Sequence, residues 1–214
     1  MTHEGNHLGA KWIAALLDAV QAGEVREALR SAAGAEDLKT WTRLMTDAVV
    51  AASRTMGWVV AAKGHKLDLL PQAGQEYLSL DGMAFALPSQ APNAAKGARW
   101  HWPVAVFELE NDHTDDRTAY SLWKVLNVGA SLRVVVAYRR TWEEANVLPG
   151  VLAEAVIRST MPIERWNAID GEVVLVIGSR SDGQSFPWDY FRFWRFDPGV
   201  GRFTKVAGGA GVGG

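Results

Sequence analysis

Residues Trp100–Asn111 read WHWPVAVFELEN, an apolar run that closes on two carboxylates. Its length and β-branched content predict a strand. Side chains alternate along a strand, so Glu108 and Glu110 share a face, roughly 7 Å apart. Val104 and Val106 precede them on that face, so the strand is expected to run from a covered core to an open end. Two carboxylates this close repel each other unless a cation or solvent lies between them.

The flanking sequence builds a mixed α/β pattern around this strand. Asp112–Asp116 is an acidic turn suited to a helix start, where negative charge is favoured. Thr118–Val128 is predicted helical, ending at Gly129. Leu132–Tyr138 (LRVVVAY) is apolar on both faces, the mark of a buried central strand. Upstream, Glu76–Leu87 alternates and is predicted as a strand carrying Asp81 before Gly82, and Pro88–Arg99 as a loop. Trp58–Ala62 is a short apolar strand. Residues 8–56 are helical, broken near Gly23 and Ala33-Gly34. Downstream, Trp142–Thr160 is expected to be helical at least from Val151, interrupted at Pro149-Gly150. Glu172–Gly178, Trp188–Phe196 and Arg202–Val206 read as further strands.

The chain has 214 residues, 48% hydrophobic and 21% charged, which suits one folded unit rather than a disordered one. We expect a single α/β domain over residues 1–207 and a flexible glycine-rich tail over 208–214. A net charge of −2 is too small for a protein that coats a nucleic-acid backbone, though a local basic patch is compatible with it. The absence of cysteine excludes disulfides, thiolate metal sites and cysteine nucleophiles. No run reaches the roughly 18 apolar residues of a membrane helix, so the expected location is cytoplasmic, with no membrane partner. No phosphate-binding glycine loop, dinucleotide fingerprint or nucleophile elbow is present.

Candidate chemistry centres on Asp81, Glu108 and Glu110. If the Asp81 strand lies beside the Glu108 strand, the carboxylates meet. Hard cations such as Mg²⁺ or Mn²⁺ take oxygen ligands of this kind. The competing readings are a solvated strand edge or an ion-pair network for the two glutamates, and an Asp81-Gly82 hairpin turn. Arg117, Ser121 and Lys124 follow at helical spacing and form one stripe. Asp47, His113 and the Lys63, His65, Lys66 cluster are weaker candidates, each read first as solvated surface. The aromatic string Phe186–Phe196, with Arg192 and Arg195, suits either base stacking or a core strand.

This order of elements resembles the αβββαβ core of the PD-(D/E)xK nuclease superfamily, the restriction-endonuclease-like fold. The resemblance spans about residues 36–140, with N-terminal helices before it and a strand-bearing extension, 141–207, after it. It implies that Asp81 and Glu108 bind Mg²⁺ (or Mn²⁺), with Glu110 beside them. Glu110 stands where the family usually has lysine, and Lys124 from the following helix looks like the substitute. The implied activity is a Mg²⁺-dependent endonuclease that hydrolyses nucleic acid, DNA in preference to RNA, as a homodimer or within a larger protein complex. The alternative is a nuclease-like module that binds without cutting.

Overall fold

The computed structural model of the protein describes residues 8–86, 100–181, 186–187 and 189–206. Three helices open it: α1 (Leu8–Gln21), α2 (Gly23–Gly34) and α3 (Leu38–Thr55). Asp37 caps α3 by accepting the Thr40 N–H, a standard way to satisfy a free donor at a helix start. Strands β1 (Trp58–Ala62), β2 (Gly82–Ala86) and β3 (Ala105–Leu109) follow, then α4 (Asp115–Leu126) and β4 (Leu132–Arg139). Next come α5 (Trp142–Leu152), a π-helical turn (Ala153–Arg158), the short α6 (Ile163–Asn167), and strands β5 (Glu172–Ser179), β6 (Phe191–Asp197) and β7 (Arg202–Val206).

The seven strands form one sheet in the order of the chain. The pairs β1–β2 and β2–β3 are antiparallel, β3–β4 and β4–β5 parallel, and β5–β6 and β6–β7 antiparallel. The protein is thus mixed α/β with both faces of the sheet covered. One face packs Phe107, Val134, Val136 and Val174 against Trp12, Leu16, Met45 and Val49 of the N-terminal helices. The Trp12 ring stacks on Phe107 with centroids 5.4 Å apart. The other face packs Val106, Val135, Ala137 and Leu175 against Leu122 and Val125 of α4 and Leu148 of α5. All eight residues of β4 are buried, which accounts for the apolar run Val134–Tyr138 between its two arginines.

Three expectations need correction. The strand over Glu76–Leu87 is shorter than expected, since only Gly82–Ala86 pairs as β2. Leu78 and Ser79 adopt φ values of 54° and 55°, and the Leu80 N–H bonds back to the Tyr77 carbonyl. That is a tight turn without glycine, and it gave no compositional turn signal. Pro149 does not break α5, which runs from Trp142 through it. Ala145, Leu148, Leu152, Val156 and Ile157 are buried along this stretch, so packing overrides the missing N–H. Finally, Asp81-Gly82 makes no hairpin: Gly82 pairs with Ala62 on one side and Phe107 on the other. The expected loop over 88–99 and the tail over 208–214 lie outside the described residues. Among the described residues no helix is long and apolar enough to cross a membrane.

Candidate functional site

Glu108 is the polar member of an apolar strand face. Its neighbour on that face, Val106, is fully buried, and Glu108 itself is only 2% exposed. This removes the solvated-edge reading for Glu108. A buried carboxylate needs partners, and α4 supplies them. Lys124 Nζ lies 2.7 Å from Glu108 Oε2, and Ser121 Oγ donates to the same oxygen at 3.2 Å. Residues 121 and 124 are one helical turn apart, so a single face of α4 presents both. The other oxygen, Glu108 Oε1, is buried and accepts no hydrogen bond among the described residues.

Asp81 stands at the entry of β2. Gly82 pairs with Phe107, and continuing that register by one residue sets Asp81 across from Glu108. Its Oδ2 accepts the Leu109 N–H at 2.8 Å, which ties it to the end of β3. The two carboxylates therefore meet, as the sequence reading required. Burial, and after it the negative charge of Asp81, push the Glu108 carboxyl up to about 7, against the opposing pull of Lys124 and Ser121. Lys124 also donates to the Ser79 carbonyl at 3.1 Å. One ammonium group thus holds both Glu108 and the left-handed turn that delivers Asp81.

Glu110 shares the Glu108 face, since its Oε2 lies 3.5 Å from Ser121 Oγ. Its Oε1 is engaged elsewhere, accepting the Asp112 N–H at 2.8 Å. Asp47 sits apart, held by His65 at 2.8 Å and Arg43 at 3.1 Å. His113 and Arg117 are exposed, and the Lys63–Lys66 turn is largely exposed too. Among the described residues no three His, Asp or Glu side chains converge as a metal cage.

The aromatic segment resolves as core. Phe193 packs on the α1–α3 side, and Trp194 and Phe196 on the α4–α5 side. The Arg192 guanidinium lies 3.6 Å above the Trp142 ring of α5, so its aromatic partner is within the protein. Trp188 lies outside the described residues.

The Ser79 carbonyl is not legible in the residue pattern, because any residue carries one. Nor did it reveal the bond from Asn111 Nδ2 to Thr42 Oγ1, 2.6 Å long, which pins the exit of β3 to α3. No family model and no curated protein matches this sequence, and no solved structure matches its fold.

Proposed function

We propose that the protein is a metal-dependent phosphodiesterase of the nuclease type, cleaving nucleic acid at the Asp81–Glu108–Lys124 cluster. The observation that carries this reading is Glu108. It is a buried carboxylate with one oxygen on Lys124, the other without a partner, and a second carboxylate opposite. A divalent cation would relieve the strain of that pair. Mg²⁺ suits such a set, because it is commonly held by one or two carboxylates and completed by water and substrate phosphate. Asp81 and Glu108 are the residues that would hold it, with Glu110 beside them on the Ser121 side, its other oxygen on the Asp112 N–H. When bound, the cation supplies Lewis-acid polarisation of a phosphoryl oxygen and a water of lowered pKa.

The protein's own groups have separable roles in this reading. Ser121 orients Glu108. Lys124 brings a positive charge to the carboxylates and stabilises charge developing on the phosphoryl oxygens. It thereby fills from α4 the place that Glu110 leaves open on the strand. The succession α3, β1, β2, β3, α4, β4, with β3 parallel to β4, supports the restriction-endonuclease-like reading of the core. DNA is the proposed polymer ahead of RNA, acted on by a homodimer or a larger assembly.

One observation favours the second reading, a nuclease-like module that binds without cutting. No third acidic or histidine side chain joins Asp81 and Glu108 among the described residues. Calorimetric titration of wild type and Glu108→Ala with Mg²⁺ and Mn²⁺, followed by incubation with DNA and RNA, decides between them. The nuclease reading expects metal binding and cleavage in the wild type, and neither in the variant. Cleavage that survives Glu108→Ala overturns the site, and metal-independent binding without cleavage selects the second reading.

A further inference from the structure

A groove of about 680 Å³ is lined by Lys39, Thr40, Thr42, Arg43 and Lys63, with Asp37 among its lining residues. Two connections place it at the same end of the sheet as the candidate site. Ala62 pairs with Gly82, so Lys63 and Asp81 leave their paired strands side by side. Thr42 accepts the hydrogen bond from Asn111, next in the chain after Glu110. The groove thus runs from the N-terminal half of α3 to the turn after β1, on the α3 side of the sheet, while Glu108 meets Lys124 on the α4 side.

Its charge is one-sided. Lys39 and Lys63 are exposed, and among the described residues neither forms an ion pair. Arg43 shares its charge with Asp47 at 3.1 Å. With Asp47 compensating Arg43, Lys39 and Lys63 face one lining carboxylate, Asp37, so the groove carries a positive excess in a chain whose net charge is −2. A local basic track on a slightly acidic protein is the electrostatic footprint of a polyanion site.

We infer that this groove is the track for the phosphate backbone of the nucleic acid, with Lys39 and Lys63 as its phosphate contacts at the sheet end that also carries Asp81 and Glu108. The inference rests on the nuclease-type reading for its occupant, but it concerns binding and not cleavage. Phosphate contacts by lysine position a strand without reading its sequence, so the track implies binding of duplex DNA irrespective of base order.

The test uses the full chain carrying Glu108→Gln, without divalent metal, and a labelled 20-base-pair DNA duplex. Affinity is measured by fluorescence anisotropy across a salt series, with and without Lys39→Gln and Lys63→Gln together. Each lost phosphate contact removes about 0.9 from the slope of log affinity against log salt concentration. The double substitution is expected to make the slope shallower by about 2 and to weaken binding at least tenfold at moderate salt. An unchanged slope in a variant with an unchanged melting curve overturns the groove and leaves the nuclease-type reading standing. Failure of the parent to bind the duplex at any salt concentration overturns the groove as well. Groove-dependent binding by a wild type that cuts nothing with Mg²⁺ keeps the groove and removes the cleavage reading.

Discussion

Lys124 Nζ lies 2.7 Å from Glu108 Oε2 and 3.1 Å from the carbonyl of Ser79. One side chain therefore bridges the end of β3 and the turn that precedes Asp81. Without it, the carboxylate of Glu108 would keep its burial and lose the one cationic partner it has among the described residues. The turn would lose the contact that braces two residues at positive φ, a conformation costly for side chains with a Cβ.

Lys124→Met removes this bridge while keeping the length of the side chain. In the nuclease-type reading it is expected to lower cleavage by about 100-fold or more, the usual cost of removing one preorganised charge from a reacting centre. The Glu108 carboxyl is expected to titrate higher still than in the wild type, because both lowering effects of Lys124 are gone. Carboxyl-carbon NMR of Glu108 across pH reads this directly. A titration midpoint that stays put would show that Lys124 does not set the charge of the site.

Glu108 also gives a sign to the pH dependence of stability. Its folded-state value is about 7, against 4.5 for an ordinary glutamate. Between these values the folded protein keeps a proton that the unfolded chain releases. Stability is therefore full below about pH 4.5 and falls as pH rises to about 7, by up to about 3 kcal/mol from this group. Urea unfolding of wild type and Glu108→Gln at several pH values isolates it, and the difference between the two should change over that window and level off above it. Metal competes with the same proton, so the apparent Mg²⁺ affinity is expected to climb with pH until about 7 and then flatten.

Arg133 holds the far end of α4. It is 5% exposed, and its Nε donates to the Val125 and Val128 carbonyls, while Nη1 donates to Asp170 O. These bonds tie the end of α4 and the turn before β5 to β4, with the Val125 carbonyl also accepting the Val128 N–H. Arg133→Met removes the tie, and a loss of about 1–3 kcal/mol in chemical denaturation is expected. The same change loosens the helix that carries Ser121 and Lys124, so hydrogen exchange should rise first in the last turn of α4.

Gly171 enters β5 at φ 79°, and a Cβ there would sit 2.5 Å from the Ser131 carbonyl oxygen and 2.7 Å from that of Ala130. Both obstacles are backbone, which cannot swing aside. Gly171→Ala is expected to cost about 2 kcal/mol or more, visible as a lower melting temperature. Gly129, with open space around its Cβ position, serves as the control, and Gly129→Ala should change stability little.

The elements most legible in the sequence were those whose signal is local. LRVVVAY announced β4 because a strand buried on both faces is apolar along most of its length, Arg133 being the exception. FELEN announced its two carboxylates on one face, since a period of two is a property of the strand alone. Ser121 and Lys124 fell on one stripe for the same kind of reason in a helix. The turn at Leu78-Ser79 was illegible because neither residue favours positive φ, and the conformation is held by partners distant in sequence. Pro149 argued for a break that the buried faces of α5 prevented.

Residue order alone specified a mixed α/β chain, the pairing of acids on one strand face and the helical stripe that could serve them. Packing between elements settled that Glu108 is buried and not solvated, that Lys124 closes on it, that Asp81 stands opposite, and that Asp47 turns to His65 and Arg43. Periodicity is written in neighbouring residues, whereas burial and charge at one atom depend on which elements pack around it. For Glu108 those elements are β2 and α4, 26 residues before it and 13 after it, counting to Gly82 and Ser121. No local pattern encodes their approach.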